Sequence, residues 1–108
     1  MDGAAVDVRA IEAQAIEALQ TCFDPEIPVN IYELGLIYGV RADPSGDVTV
    51  TMTLTSPNCP SAQELPAEVK HKVESIPGVK SATVDVVFDP PWDRSMISEA
   101  AMLQLGLL

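Results

Sequence analysis

The sequence predicts one small α+β domain in which helices pack on a three-stranded mixed sheet. In three segments, apolar residues recur every three or four positions, which is the period of an amphipathic helix. Between Val48 and Thr55, apolar residues alternate strictly with threonines, which is typical of a strand with one buried face. A chain of 108 residues with 47% hydrophobic content suits a single domain over residues 1–108.

A helix and a β-hairpin are predicted first along the chain. The apolar stripe of the helix consists of Val8, Ile11, Ala15, Leu19 and Cys22. We expect Asp24-Pro25 to end it, because the residue before a proline is disfavoured in the α region. Residues 36–42 predict a short strand, and the turn at 43–47 joins it to the alternating strand. The threonines of that strand are expected to face away from the core.

A second helix, a third strand and a last helix complete the predicted order α-β-β-α-β-α. Ser61 and Glu64 have capping-box spacing, but Pro66 favours a start nearer Glu64 because proline suits only the first turn. The third strand is predicted from the alternation of Ala82, Val84, Val86 and Phe88. The last helix carries Met96, Ile97, Ala100, Met102, Leu103 and Leu105, with Gly106 as its C-cap. The pattern leaves open which strand pairs with the third.

Composition and charge exclude several classes of function. Sixteen acidic and six basic residues give a net charge of −10, which repels phosphate backbones, so a nucleic-acid partner is not expected. The first residues do not resemble a secretory signal, and no apolar run approaches about 20 residues. We therefore expect a cytoplasmic protein with reduced cysteines and no membrane partner.

Cys59 lies between the end of a predicted strand and the start of a predicted helix. Free N–H groups at a helix N-terminus stabilise a thiolate, which would make this cysteine a metal ligand or a nucleophile. A buried cysteine closing a loop would suit the position as well, and position alone leaves both interpretations open. Cys22 is expected in the core, and His71 on a solvated helix face. These three soft ligands are too few for a structural zinc site.

Asp24 and Glu26 are two carboxylates in a loop whose backbone is restricted by proline. They would serve either as oxygen ligands and hydrogen-bond acceptors or simply as turn residues. Trp92 is predicted as a lid on the core, with a partner contact as the alternative. Neither a Ser-His-Asp set nor a Gly-rich phosphate loop is present, so an enzyme is not expected.

Four segments become informative when they are taken in order. They are residues 24–30 (DPEIPVN), 34–38 (LGLIY), 52–60 (MTLTSPNCP) and 89–92 (DPPW), the last together with Leu105-Gly106. Together they resemble the small iron–sulfur cluster assembly domain family, which includes SufT-like proteins, PaaD-like proteins and the eukaryotic cytosolic iron–sulfur targeting factors. The Pro-Pro-Trp loop and the lack of a cysteine after Cys59 are most similar to SufT-like members. Glu33 departs from the family pattern, which usually has aspartate there.

The resemblance implies an αββαβα fold and an accessory role in the maturation of iron–sulfur proteins. It also implies that Cys59 is a functional cysteine. Our hypothesis is that Cys59 binds iron or a transient cluster, with Asp24, Glu26 and Thr55 shaping the pocket. Because a cluster normally needs four thiolate ligands, it would be shared with another molecule. The implied partners are SUF scaffold and assembly proteins, apo iron–sulfur clients and a second copy in a homodimer. The alternatives are a metal-free adaptor for apo-clients and a PaaD-like subunit needed by one oxygenase.

Overall fold

The helices and strands follow the order predicted from the sequence. The computed structural model describes residues 7–23, 27–55 and 64–106. Its elements are α1 (Val8–Leu19), β1 (Ile37–Ala42), β2 (Asp47–Met52), α2 (Glu64–Glu74), β3 (Ser81–Val86), a short 3-10 helix (Arg94–Met96) and α3 (Glu99–Leu105). The predicted order α-β-β-α-β-α is therefore confirmed. None of the helices in these ranges is long and apolar enough to cross a bilayer.

The three strands form one mixed sheet in the order β1-β2-β3. β1 and β2 are antiparallel, whereas β2 and β3 are parallel, with Met52 opposite Val86. The third strand therefore pairs with the second, which the sequence pattern left open. A parallel pair needs a crossover connection, and the segment containing α2 provides it.

The helices α1 and α2 supply most of the apolar cover on one face of the sheet. The predicted stripes are confirmed, because the buried residues include Ile11, Ala15 and Leu19 of α1, Val48, Val50 and Met52 of β2, and Leu65, Val69 and Val73 of α2. Helix α2 begins at Glu64, as Pro66 indicated. Ser61, the other member of the predicted capping box, lies outside the described residues.

Side chains of the two helices also cover part of both sheet edges. On β1, Glu12 of α1 accepts a hydrogen bond from the Ala42 backbone N–H at 3.0 Å. On β3, Lys70 of α2 donates to the Ala82 carbonyl at 2.7 Å. Exposed strand edges promote pairing with other chains, so these contacts protect the ends of the edge strands.

Helix α1 ends earlier than predicted. Its last residue is Leu19, and the following N–H groups of Thr21 and Cys22 bond to carbonyls three residues back. Such tight bonds satisfy the last carbonyls of a helix without continuing it, so no proline is needed as the stop. The predicted stop at residues 24–25 lies outside the described residues.

The strands β2 and β3 are shorter than the alternating patterns suggested. β2 ends at Met52. The N–H of the next residue, Thr53, donates a hydrogen bond to the carbonyl of Leu36, the residue that precedes β1. Thr53 is fully buried, so the prediction that all the threonines face away from the core was wrong at this residue. Phe88 lies beyond the end of β3 and is 47% exposed.

The last helix also starts later than predicted, because Ser98 accepts a hydrogen bond from the Ala101 N–H and acts as the N-cap of α3. Met96 and Ile97 therefore precede α3, and the buried alanine is Ala101 rather than the predicted Ala100. The predicted cap at Gly106 is confirmed, with a left-handed φ of 77°.

Candidate functional site

Four chain segments meet at one end of the sheet, where strands finish or begin. We call this end the loop edge. β2 and β3 are parallel and both end there, whereas β1 is antiparallel and begins there. Three backbone hydrogen bonds of 2.8 Å tie the segments together: Ile31 N–H to the Cys22 carbonyl, Thr53 N–H to the Leu36 carbonyl, and Val87 N–H to the Met52 carbonyl. The loop edge thus joins the end of α1, the loop before β1, and the ends of β2 and β3.

The predicted site residues relate to this edge in different ways. Thr55 lies just after β2 at the loop edge and is half-buried. Cys59, Asp24 and Glu26 lie outside the described residues, so their roles stay predictions. In the described part of the chain, no group of three or more His, Cys, Asp or Glu side chains could hold a metal ion.

Thr53 is a residue of the loop edge that the sequence did not single out. Its side chain is fully buried, and its Oγ1 has no hydrogen-bond partner among the described residues. A buried hydroxyl normally has a hydrogen-bond partner, because leaving it without one costs about 1–3 kcal/mol. Because Thr53 alternates with the apolar residues Met52 and Leu54, the sequence predicted that its side chain faces away from the core. No sequence signal distinguished Thr53 from Thr49, which is exposed.

Cys22 is a core residue, as predicted, with no exposed surface. Its Sγ donates to the Ala18 carbonyl at 3.7 Å. Burial raises the pKa of the Cys22 thiol to about 11, and the negative charge of Glu68 adds to the increase, whereas Lys72 opposes it. The thiol is therefore protonated at neutral pH and unsuited to bind a metal. His71, on the exposed side of α2, also lies where the sequence predicted it.

Iodoacetamide at pH 8 should label Cys59 and leave Cys22 unmodified in the folded protein. The thiolate is the reactive species, and the raised pKa keeps Cys22 protonated until the pH approaches about 11. Labelling of Cys22 should appear only near that pH or after unfolding in guanidinium. Trypsin separates the two cysteines into peptides 10–41 and 42–70, so mass spectrometry measures each one. Equal labelling at pH 8 would contradict the burial of Cys22.

The segment of residues 90–105, which we call the C-terminal strap, lies along residues 28–38 in the opposite direction. Side-chain hydrogen bonds connect them along their length, among them Tyr38 Oη to the Pro90 carbonyl (2.7 Å), Trp92 Nε1 to the Leu34 carbonyl (2.8 Å), Ser98 Oγ to Glu33 Oε1 (2.7 Å) and Gln104 Nε2 to the Pro28 carbonyl (3.3 Å). Trp92 is half-buried against the core, as expected of a lid. Its contact with a partner stays a prediction.

Glu33 is part of this connection. Its side chain accepts from the hydroxyl of Ser98, and its backbone carbonyl accepts from the Ser98 N–H at 2.8 Å. Because Ser98 also caps α3, the acid at position 33 links the loop before β1 to the start of the last helix. This gives Glu33 a structural role in attaching the strap.

Comparisons with known proteins agree with this architecture. Residues 12–86 match the family described as iron–sulfur cluster assembly protein. The chain is 54% identical over 97 residues to a Porphyromonas gingivalis protein named Fe-S protein maturation auxiliary factor, covering 90% of this chain and 92% of that protein. It is 40% identical over 84 residues to the Staphylococcus aureus protein named Fe-S protein maturation auxiliary factor SufT, covering 78% and 96%.

The chain is also similar to a solved structure and to part of a longer protein. A Bacillus anthracis crystal structure described as a domain of unknown function, DUF59, superposes with a TM-score of 0.86 at 36% identity, covering 94% of this chain and 96% of that chain. A Mycobacterium leprae protein named iron–sulfur cluster carrier protein is 35% identical over 72 residues, which are 67% of this chain but only 18% of that protein. The likeness to the carrier therefore concerns one part of a larger molecule.

Proposed function

The chain belongs to the iron–sulfur cluster assembly protein family, and on that basis we propose that it acts in iron–sulfur protein maturation by binding iron or a transient cluster at Cys59. The family match and the two auxiliary factors confirm the predicted SufT-like resemblance and the accessory role. The same relatives do not favour a subunit devoted to one oxygenase. The assignment of iron or a cluster to Cys59 is the part that needs an experiment.

The observation that carries this proposal is the meeting of chain segments at the loop edge. Thr55, three residues beyond the end of β2, precedes Cys59 by four residues in the sequence, and Ile27 directly follows Glu26. The hydrogen bonds from Ile31 to Cys22 and from Thr53 to Leu36 join these two parts of the chain in space. A thiolate and carboxylates supplied from these two loops would suit iron in chemical type.

The second cysteine supports the idea that any cluster is shared. Cys22 is buried and protonated, so this chain offers one thiolate at most, whereas a cluster normally takes four. The missing ligands would come from SUF scaffold proteins, apo-clients or another copy of the chain. In this proposal the protein works in the cytoplasm and passes iron or a cluster on without catalysing a reaction. The relative named as a cluster carrier is consistent with such handling.

Anaerobic reconstitution with ferrous iron and sulfide tests the proposal. We expect visible absorption and bound iron in the unaltered protein and in Cys22→Ala, and neither in Cys59→Ser, because only the Cys59 thiolate is available. Cys22→Ala is the matched control, since it removes a thiol that makes no ligand. Iron bound equally by all three proteins would contradict a role for Cys59. No iron in any of them would favour the metal-free adaptor instead.

A further inference from the structure

Thr53 places a hydroxyl group inside the protein at the loop edge. The residue has no exposed surface, and its Oγ1 lacks a hydrogen-bond partner in the described part of the chain. Within those ranges it is the single buried side-chain oxygen or nitrogen in this condition. Because buried polar groups are normally paired, an unpaired hydroxyl beside a candidate site indicates that a group bound at the site completes it.

The backbone around Thr53 makes its own hydrogen bonds, and the hydroxyl takes no part in them. The Thr53 N–H donates to the Leu36 carbonyl at 2.8 Å. The carbonyl of the preceding residue, Met52, accepts from the Val87 N–H at the same distance. These bonds hold Thr53 between the residue before β1 and the first residue after β3. The threonine therefore stands in the middle of the loop edge, and the chain continues from it towards Cys59.

We propose that Thr53 is a positioning residue whose hydroxyl donates a hydrogen bond to the sulfur of Cys59 when that thiolate holds iron or a cluster. The inference rests on the proposed function. A threonine hydroxyl carries one proton and a metal-bound thiolate carries none, so the hydroxyl is the donor. Cys59 is favoured over Asp24 and Glu26 because it follows Thr53 by six residues in the same segment, whereas the carboxylates belong to another loop.

Such a bond would strengthen the hold on iron. Hydrogen bonds to the sulfur ligands tune iron–sulfur sites, and outer-shell bonds of this kind keep a metal ligand in its orientation. In a position without contact to water the bond is stronger than on the surface. Thr53 would thus act on iron through Cys59 without touching the metal.

The proposal separates the stability of the iron-free protein from its retention of iron. In the iron-free chain the Thr53 hydroxyl contributes no hydrogen bond, so its removal should leave stability unchanged or increase it. In the loaded chain the same removal takes away a bond to a ligand. A hydroxyl with an ordinary structural partner would behave differently, because its removal would destabilise the iron-free protein.

Guanidinium unfolding of the iron-free proteins, combined with iron release to the chelator ferrozine after anaerobic loading with ferrous iron and sulfide, tests this separation. Thr53→Val keeps the branched shape without the hydroxyl. It should unfold at an equal or higher guanidinium concentration, yet lose its iron at least about tenfold faster or fail to retain it.

Two further variants make the comparison specific. Thr53→Ser keeps the hydroxyl but loses a buried methyl group, so it should unfold at a lower guanidinium concentration and release iron at the unaltered rate. Thr51→Val is the matched control, since it makes the same change two residues earlier on β2. It should leave iron release unchanged.

A lower unfolding midpoint for iron-free Thr53→Val would overturn the inference, because the hydroxyl would then have a partner within the folded chain. Equal iron release from Thr53→Val and the unaltered protein, or fast release from Thr53→Ser, would overturn it as well and leave the role of Cys59 intact. If the unaltered protein binds no iron, the proposed function fails and this inference fails with it. The iron content of the unaltered protein, measured first, distinguishes these results.

Discussion

Gly35→Ala should lower the free energy of unfolding by about 3 kcal/mol or more, although it adds only one methyl group. Gly35 has a φ of +82°, a left-handed conformation that alanine adopts only with strain. An added Cβ would overlap the carbonyl oxygen of Met96 and lie 2.8 Å from its carbonyl carbon. These are backbone atoms of the strap, so the strap would have to move away from the loop.

Gly39→Ala provides the matched control for this substitution. Its added Cβ would meet nothing closer than the Thr51 Cβ at 4.0 Å, and its backbone is not left-handed. Alanine in such a position changes stability by about 1 kcal/mol or less. Guanidinium unfolding followed by fluorescence compares the two, since Trp92 is the single tryptophan and is anchored to Leu34. Equal stability and unchanged Trp92 emission for both variants would show that the strap does not depend on Gly35.

In cells that depend on this chain, the Cys59→Ser variant should not support the maturation of client iron–sulfur proteins. A serine hydroxyl is not ionised at neutral pH and is a poor ligand for iron in a sulfur-rich site. We expect the activity of iron–sulfur enzymes in these cells to fall to the level of cells lacking the chain. The measurement is the activity of a client enzyme in extracts, with its protein amount determined in parallel.

Cys22→Ala is again the control, and it should keep most of the maturation activity because the native thiol is buried and protonated. Its expected cost is in stability, through the small cavity left in the core. Full client activity with Cys59→Ser would show that the thiol is dispensable. The accessory role would then rest on protein contacts alone. The groove of about 540 Å³ between the strap and the loop before β1, lined in part by Arg94 and Trp92, would be the first surface to mutate.

The helices and strands whose signal is local could be predicted from the amino-acid sequence. The apolar stripe from Ile11 to Leu19 and the alternation of Val48, Val50 and Met52 follow from backbone periodicity, which each segment carries on its own. The same holds for the start of α2 near Pro66, because proline restricts its own backbone. The ordered motifs were also enough to identify the family. The candidate site was named from sequence as Cys59, Asp24, Glu26 and Thr55, and the structure adds the meeting of their flanking segments.

The features that depend on residues distant in sequence became known only from the folded chain. The pairing of β3 with β2 could not be predicted from the sequence, because it depends on where the crossover through α2 brings the chain back to the sheet. The burial of Thr53 is one such feature, and so is the raised pKa of Cys22, which results first from burial in the core and then from the negative charge of Glu68. By contrast, the end of α1 at Leu19 and the start of α3 after Ser98 depend on hydrogen bonds that span only three residues, which are local but are not part of the apolar periodicity. The groove, like the pairing of β3 with β2, depends on distant residues, because it forms only where the strap crosses a loop some 60 residues earlier in the chain.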